Sequence, residues 1–398
     1  MSDISEASPV RAVPRAEPVG SLLRPARITA LMGEIYTGRA SASPRFVGPQ
    51  ATPRFGDLAR LADRHIAEFV RRQADAGLDV VTDGEIRRST FISSLYDAAA
   101  GFAEADERFE VRDDAGAVIY AGYADPVVGG SIRKSGSPAA VEAAALRVIT
   151  ASAGIPVPFK ITLPAPSYFL ASLAEVRPGA GYADRQALLD DVVAAERELA
   201  AEVVAAGATW LQFDFPIYPG LADPDYAASL EQLYGLPAAK LMDLAIAADS
   251  AVAADLPDGV TVAMHICRGN FPGGMWQGSL EPVAERMFDE LPFRRYLIEW
   301  EDTSREGDYS PLRFAARHPD IVVALGLIST KTPELERDDD VLRRLEEAAV
   351  HLPLEQLALC PQCGFASLML DRLVAAEDAQ WRKLDLVGRV AARAWPGA

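Results

Sequence analysis

The sequence predicts an α/β fold, a (β/α)8 TIM barrel with a hairpin and loop excursion at its C-terminal face. Short apolar runs alternate with long helical stretches, and this alternation occurs eight times along the 398 residues. Eight such units with right-handed crossovers close into a barrel. A doubly wound open sheet is the alternative, but its GxGxxG phosphate turn is absent from the sequence.

The predicted strands are short, mostly continuous in apolar character and rich in Val, Ile, Leu or Phe, as expected for strands that are covered on both faces. They lie at residues 17–22, 78–82, 157–163, 209–215, 260–267, 295–300, 321–328 and 354–359. Helical spacing fills the stretches between them. It predicts helices at residues 184–206, 233–254, 280–291, 333–350 and 368–392, with Asp184 and Thr332 as N-caps.

Two excursions interrupt the alternation. Residues 39–56 are typical of a long loop, and residues 104–136 are typical of a hairpin that turns at Ala115-Gly116. Both follow strands at the face where barrels place their sites, so we expect them to form a lid. Residues 1–17 predict a disordered arm, and residues 18–398 predict a single barrel domain that carries the site.

Composition and charge exclude several classes of protein. Acidic residues outnumber basic ones by 57 to 39, and the net charge of −18 argues against general binding to nucleic acid or an anionic membrane. No apolar run is long enough to span a bilayer, and the first residues carry acids and prolines instead of an apolar signal core. Three cysteines cannot form a disulfide framework, which favours the cytoplasm.

Metal-binding side chains stand at three predicted strand ends. Strand five ends in His265-Ile266-Cys267, residues 299–302 read Glu-Trp-Glu-Asp after strand six, and residues 360–363 read Cys-Pro-Gln-Cys in the eighth unit. Zinc binds imidazole, thiolate and carboxylate in tetrahedral sets, so we expect a zinc site at this face. Spacing alone does not select the acid or the cysteine of the last pair. A redox Cys-x-x-Cys pair and plain buried cysteines are the alternatives.

The expected ligand types indicate the chemistry of the metal. Two thiolates and one carboxylate leave a zinc site with a net charge of about −1, which is poorly suited to making hydroxide. Such a site suits the binding and deprotonation of an incoming thiol, whose free pKa is about 8.5. The sequence therefore favours thiol alkylation over hydrolysis.

Other strand ends fit a small zwitterionic substrate. Ser21 follows the first strand and can donate a hydrogen bond to a carboxylate. Glu85 and Asp214 follow the second and fourth strands and can bind an ammonium group. For each of the three, a structural hydrogen bond or a helix cap is the alternative.

Six short motifs at these strand ends occur together within residues 17–390. They are Val19-Gly20-Ser21, Asp83-Gly84-Glu85, Gln212-Phe213-Asp214, His265-Ile266-Cys267, Leu297-Ile298-Glu299 and Gln362-Cys363-Gly364. This set resembles the cobalamin-independent methionine synthase family, both its catalytic C-terminal barrel and its short stand-alone relatives. The long N-terminal half of the full-length synthases has no counterpart in the chain.

The resemblance implies roles for seven residues. It implies that zinc is bound by His265, Cys267, Glu299 and Cys363, which selects Glu299 over Glu301 and Cys363 over Cys360. It also implies that the amino-acid group of homocysteine is contacted by Ser21, Glu85 and Asp214.

The chain departs from the family where the methyl donor binds. The synthases carry an Asp-x-His-Ser-Pro stretch whose His donates a proton, and the matching residues 327–331 contain no His. A Trp that stacks on the pterin should follow strand three, where residues 163–166 read Leu-Pro-Ala-Pro. These departures argue against triglutamyl methylfolate as the donor, so the choice among a folate, a corrinoid and another electrophile is open. Tyr218, His318 and Ser329 are candidate donor contacts, with an ordinary surface position as the alternative for His318.

These observations predict a cytoplasmic zinc-dependent methyltransferase that converts homocysteine to methionine. The first alternative is alkyl transfer to another thiol, such as epoxide opening by coenzyme M. Glu85 and Asp214 argue against it, because two buried carboxylates would repel a sulfonate. The second alternative is a structural zinc site in a barrel without enzymatic activity.

Overall fold

The protein folds around a parallel sheet flanked by helices, and the computed structural model describes residues 13–112, 116, 118–172, 176–270, 274–368 and 377–397. Its strands are β1 (Ala99–Ala103), β2 (Phe109–Arg112), β3 (Val118–Gly122), β4 (Val127–Lys134), β5 (Ile161–Pro164), β6 (Trp210–Asp214), β7 (Thr261–Ile266), β8 (Arg295–Glu299), β9 (Val322–Ile328) and β10 (Leu357–Pro361). Its α-helices are α1 (Ala26–Ile35), α2 (Thr52–Asp75), α3 (Ser93–Tyr96), α4 (Pro138–Ala153), α5 (Phe169–Ser172), α6 (Arg185–Ala205), α7 (Tyr218–Ala222), α8 (Pro224–Tyr234), α9 (Ala238–Ala253), α10 (Glu281–Glu290), α11 (Thr303–Glu306), α12 (Leu312–Ala315), α13 (Asp338–Ala349) and α14 (Glu377–Ala394).

Strands β5 to β10 form one parallel sheet in which each strand lies beside the next in the chain. They correspond to the third to eighth predicted strands, so the α/β class and the parallel arrangement are confirmed. The register pairs Asp214 with His265, and His265 with Leu297, two residues before Glu299. Paired residues of parallel neighbours point to the same face, as do residues two apart. Asp214, His265 and Glu299 therefore share one face of the sheet.

The first two predicted strands are present as shorter pairings beside this sheet. Ala16 forms a parallel bridge with Leu359 of β10, and Val81 forms one with Phe159, just before β5. The two segments are themselves linked, because the amide of Asp79 donates to the carbonyl of Ala16 at 2.7 Å. The N-terminal segment and residues 79–81 thus continue the hydrogen bonding at both edges of the sheet.

The helices follow the predicted pattern with shifted boundaries. Helix α6 begins as expected, since the side chain of Asp184 accepts from the amide of Ala187 at 2.9 Å. The helix predicted at residues 233–254 is interrupted, because Gly235 adopts a left-handed conformation and Pro237 precedes α9. Among the described helices, none combines the length and apolar character that crossing a membrane requires.

Two predicted helix starts are wrong. Helix α13 begins at Asp338, so Thr332 is not its N-cap. The carboxylate of Glu336 accepts from the amide of Ser329 at 2.7 Å and from Lys383, which holds the preceding segment away from a helical path. Leu368, predicted to start the last helix, instead pairs with Thr90, and residues 369–376 lie outside the described part of the chain.

The predicted disordered arm is too long at its C-terminal end. Residues 1–12 lie outside the described residues, but Arg15, Ala16 and Glu17 are buried. The carbonyl of Arg15 accepts from the amide of Leu359 at 2.8 Å, so this segment belongs to the folded core.

The predicted hairpin is present as the antiparallel pair β2–β3. At its predicted turn, Gly116 has a φ of 83°, whereas Ala115 lies outside the described residues. A second antiparallel pair, β1–β4, encloses it and was not apparent from the sequence. The predicted loop at residues 39–56 ends earlier than expected, because α2 begins at Thr52.

A buried ion network crosses the interior of the sheet. The carboxylate of Glu17 accepts from Lys160 at 2.8 Å and from Arg295 at 2.7 Å, and all three side chains are buried. Lys160 also donates to Gln212 at 2.7 Å. Burial acts to raise the pKa of Glu17, but the charges of Arg295 and Lys160 outweigh it and lower that pKa below its ordinary value of 4.5. The network joins the N-terminal segment to β6 and β8.

Replacement of Glu17 by Gln should lower the free energy of unfolding by about 3–5 kcal/mol, because it leaves two buried cations without their partner. Chemical denaturation at neutral pH measures the difference, with the exposed Glu198→Gln as a matched control. The stabilisation by Glu17 is present above its ordinary pKa and is lost as the pH falls through its lowered folded value. The difference in the free energy of unfolding between wild type and variant should therefore shrink in acid. A difference that does not change with pH would contradict the ionised, paired state of Glu17.

Candidate active site

A cavity of about 870 Å³ lies at the carboxyl end of the sheet. Its size falls within the range of roughly 300–1,000 Å³ that ligand sites usually have. The predicted site residues that line it are Ser21, Glu85, Asp214, His265, Cys267 and Cys363. The lining also includes residues 105–109 and 123–127, so the hairpin excursion borders the same cavity.

Three predicted metal ligands come together in this cavity. One ligand atom each from His265, Cys267 and Cys363 lies within 4.8 Å of the others, and the two sulfurs are 4.0 Å apart. Nδ1 of His265 donates to the carbonyl of Leu297 at 3.2 Å, which leaves Nε2 with its lone pair. Within the described residues this buried Nε2 has no hydrogen-bond partner. The donor set fits zinc, because an imidazole nitrogen and two sulfurs are its preferred ligands.

Burial and neighbouring groups raise the pKa of two acids at the site. The hydrogen bond with Cys267 and burial both raise the pKa of Cys363 well above its ordinary value. Burial, with a smaller contribution from Glu85, raises the pKa of Asp214 to about 7. Each shift means that the group holds its proton more tightly than in water.

The predicted substrate residues stand beside the metal group. Oε1 of Glu85 accepts from the hydroxyl of Thr162 at 2.6 Å, while its buried Oε2 has no partner among the described side chains and backbone. Asp214 accepts from Gln212 at 2.6 Å. The Ser21 hydroxyl accepts from an amide at 3.3 Å, and its proton can be donated to a ligand.

Backbone strain marks the same residues. Among the described non-glycine residues, positive φ angles occur at Glu85 (53°) and Phe215 (59°), and both side chains line the cavity. Such conformations cost of order 1–3 kcal/mol and persist where the surrounding structure demands them. Their occurrence at two cavity residues indicates that side-chain placement at this site is maintained against a local energetic cost.

The chain matches the family model described as the cobalamin-independent synthase catalytic domain over residues 52–378. The chain belongs to the cobalamin-independent synthase family. Two relatives from Bacillus subtilis (strain 168), the uncharacterized proteins YxjH and YxjG, are each 32% identical over 388 residues, covering 96% of this chain and 94% of the relative. The resemblance inferred from the strand-end motifs is thereby confirmed.

Solved structures with similar folds carry related names. A putative vitamin-B12 independent methionine synthase from Listeria monocytogenes is 25% identical with a TM-score of 0.69, and the match covers 97% of this chain and 99% of that one. A B12-independent methionine synthase from Shewanella sp. W3-18-1, in complex with selenomethionine, is 20% identical with a TM-score of 0.68, covering 96% and 98%. The second likeness concerns the fold alone.

In this synthase family member, Glu299 lies beside the metal group but not within it. Its buried carboxylate accepts from Lys331 at 2.8 Å, from Arg305 and from the amide of Arg268. Burial acts to raise the pKa of Glu299, but Lys331 and Arg305 outweigh it and lower that pKa. Glu299 is therefore ionised. Glu301 also contacts Lys331, and neither Glu299 nor Glu301 lines the cavity.

Cys360 lies in the core of the sheet and not in the cavity. Its sulfur is 3.5 Å from the carbonyl oxygen of Ala324, and it packs in a buried apolar cluster with Val19. Burial raises the pKa of the Cys360 thiol well above its ordinary value. All three cysteines are free thiols. Of the two cysteines of the Cys-x-x-Cys pair, only Cys363 is available to a ligand in the cavity.

The candidate donor contacts do not line the described cavity. Tyr218 is buried and donates to Asp249 at 2.7 Å. His318 lies 2.7 Å from Asp289 at the surface, and Ser329 lines a separate, smaller cavity beside Lys331. Their interpretation as donor contacts therefore finds no support in the lining of this cavity and stays a prediction.

Other cavity residues were not recognised in the sequence. Asn270 donates to the carbonyl of Gly364 at 2.9 Å and accepts from Thr330 and Gln362, which joins the loops after β7, β9 and β10. It follows the His-x-Cys motif by three residues, but an Asn in a loop gives no distinctive signal. An aromatic wall also lines the cavity; it is formed by Phe91, Tyr168 and Phe215.

Gly364→Ala should destabilise the site, because a Cβ at residue 364 would lie 2.1 Å from the Ser21 hydroxyl oxygen. We expect a loss of about 1–3 kcal/mol in the free energy of unfolding, the usual cost of overpacking. The control is Gly33→Ala in α1, where no atom lies within 4 Å and where alanine should stabilise by about 0.5–1 kcal/mol. Thermal unfolding measures the two effects. Equal changes in the melting temperature of both variants would contradict the close contact between Ser21 and Gly364.

Proposed function

We propose that the protein is a cytoplasmic, zinc-dependent methyltransferase that moves a methyl group to the thiol of homocysteine and so forms methionine. The proposal is carried by the presence of His265, Cys267 and Cys363 in the same cavity as Glu85 and Asp214. Membership of the cobalamin-independent synthase family supports the same reaction. Three free buried cysteines suit the reducing cytoplasm.

For zinc we propose four ligands, namely His265, Cys267, Glu299 and Cys363. Zinc, when bound, lowers the pKa of a coordinating thiol and so supplies a sulfur nucleophile at neutral pH. The hydrogen bond from Nδ1 of His265 to the carbonyl of Leu297 fixes the tautomer and orients Nε2 for metal binding.

By its lone pairs, Glu299 would be able to bind a metal in addition to its present partners. A carboxylate offers about four lone-pair positions. Lys331 and Arg305 occupy Oε1, and the amide of Arg268 occupies one position on Oε2. One position on Oε2 therefore remains. The two cations keep Glu299 ionised and hold its orientation, as partners of metal ligands usually do.

The acceptor would be held by opposite charges. The ammonium group of homocysteine would donate to the unpartnered Oε2 of Glu85 and to Asp214, and the hydroxyl of Ser21 would donate to its carboxylate. These contacts would fix the amino-acid end and direct the thiol toward Cys267 and Cys363. The walls of the cavity would exclude water while the methyl group is transferred.

We further infer that the sheet closes into an eight-stranded barrel within a single domain, which comprises the predicted residues 18–398 and the buried segment that begins at Arg15. The support comes from the two short pairings, in which Ala16 bridges to β10 and Val81 bridges to Phe159 before β5. The hydrogen bond from Asp79 to Ala16 joins these segments to each other. Barrel closure would bring Ser21 and Glu85 to the same mouth as the ligands from β7 and β10.

Metal analysis tests the zinc proposal without an activity assay. We expect about one zinc per chain in the wild-type protein and loss of zinc in His265→Ala and Cys363→Ser, because each removes a ligand. Cys360→Ser is the matched control and should retain zinc, since Cys360 lies in the sheet core. Zinc-free wild-type protein after reconstitution, or equal zinc loss in all three variants, would overturn the proposed ligand set.

Calorimetry with homocysteine tests the acceptor independently of the methyl donor. Glu85→Gln in zinc-loaded protein should weaken homocysteine binding by about 10–100-fold, because a charge-assisted hydrogen bond contributes about 1.5–3 kcal/mol. Glu198→Gln should leave the affinity unchanged, and coenzyme M serves as the competing thiol. If coenzyme M binds more tightly than homocysteine, the acceptor proposal is wrong.

A further inference from the structure

The proposed function leaves the methyl donor unassigned, and the remaining lining of the cavity carries information about it. We infer that the donor is a small cationic onium compound, a sulfonium or a quaternary ammonium, bound between the aromatic wall and Asp125. This inference rests on the proposed function, because it names the second substrate of the same site.

The described lining of the cavity contains more acidic than basic side chains. The carboxylates that line it are Glu85, Asp106, Glu107, Asp125 and Asp214. The basic side chains there are Arg108 and Arg177, and the guanidinium of Arg177 pairs with Asp106 at 2.7 Å. This excess of acids would attract a cation and repel a donor with several carboxylates, such as a polyglutamylated folate.

The aromatic wall also favours a cationic donor. The rings of Phe91, Tyr168 and Phe215 contact one another, with centroid distances of 5.6–6.1 Å. Phe215 is stacked on Trp276 at 4.8 Å, and its positive φ holds the ring at the cavity. Aromatic rings attract onium groups through the negative potential of their faces, and the attraction is strongest where water is excluded.

Asp125 adds a charge beside this wall. It lies between β3 and β4 on the excursion, is half-buried at the cavity, and is 3.4 Å from the hydroxyl of Tyr168. Burial raises the pKa of Asp125 to about 6, so the carboxylate form predominates at neutral pH. A carboxylate beside aromatic rings is a suitable environment for a methylated cation.

The reaction balances without an acid on the donor side. The sulfur of homocysteine supplies the electron pair of the new S–CH₃ bond, and its thiol proton passes to solvent. The donor's bond to the methyl carbon breaks with its electron pair retained by the donor sulfur or nitrogen. An onium donor therefore leaves as a neutral thioether or tertiary amine, which needs no proton.

The volume of the cavity is consistent with two small substrates. About 870 Å³ accommodates an amino acid at the metal side together with a compact donor at the aromatic side. Glu85 and Asp214 belong to the first region, and Asp125 with Phe91 and Tyr168 belongs to the second. The transferred carbon would lie between the two groups.

A donor comparison tests the inference on the zinc-loaded full chain. S-methylmethionine and glycine betaine are assayed with homocysteine beside methyltetrahydrofolate, its triglutamate and methylcobalamin, with methionine measured as the product. We expect at least one onium donor to exceed both folates and the corrinoid in kcat/KM.

Methionine formed only from a folate or the corrinoid overturns the onium inference and leaves the proposed function standing. If no donor gives methionine while homocysteine still binds, the inference is also overturned. Loss of homocysteine binding itself refutes the proposed function.

Substitutions of Asp125 provide a second test of the inference. Asp125→Asn should raise KM for the onium donor by about 10-fold, because it removes a charge and preserves the shape. Its affinity for homocysteine and its melting temperature should match wild type, which separates donor binding from folding. Asp125→Glu should recover part of the loss. An unchanged KM in Asp125→Asn, with the fold intact, would contradict the role of this carboxylate.

Discussion

The site depends on a buried charge balance beneath it. Glu17, from the N-terminal segment, is held between Lys160 and Arg295, and Lys160 also binds Gln212. Gln212 in turn donates to Asp214 at the cavity. Ions are costly to bury unless they are paired, so these residues require the segments that carry them to meet in one arrangement. The geometry of the substrate side is thus connected to the interior of the sheet by a continuous series of hydrogen bonds.

Close backbone contacts give the cavity its shape. Gly364 allows the chain after Cys363 to approach Ser21, and Gly20 allows Glu85 to approach the first segment, since a Cβ there would lie 2.5 Å from Oε1 of Glu85. The positive φ of Glu85 supports the same arrangement. Metal ligands and substrate residues therefore hold one another in place, although they come from distant parts of the chain.

The sequence predicted the parallel sheet and a metal group at the strand ends, because apolar runs and strand-end motifs are local patterns. The choice of Cys363 over Cys360, beside His265 and Cys267, came from the family resemblance. The sequence did not predict that Glu299 is ion-paired with both Lys331 and Arg305, because these pairs depend on contacts between separate loops. Helix starts were missed where tertiary hydrogen bonds, such as those of Glu336, compete with local preference. The roles of Asn270 and Phe215 were missed because only the folded cavity distinguishes them from ordinary loop residues.

The cavity is assembled from two parts of the fold. Its inner wall belongs to the ends of the parallel strands, whereas Asp125 and its neighbours belong to the excursion that contains β1 to β4. The excursion forms its own antiparallel pairs, which are separate from the hydrogen-bonded strands of the central sheet. Because of this division, substitutions in the excursion would change which molecules the cavity binds, while the reactive residues at the strand ends would stay the same.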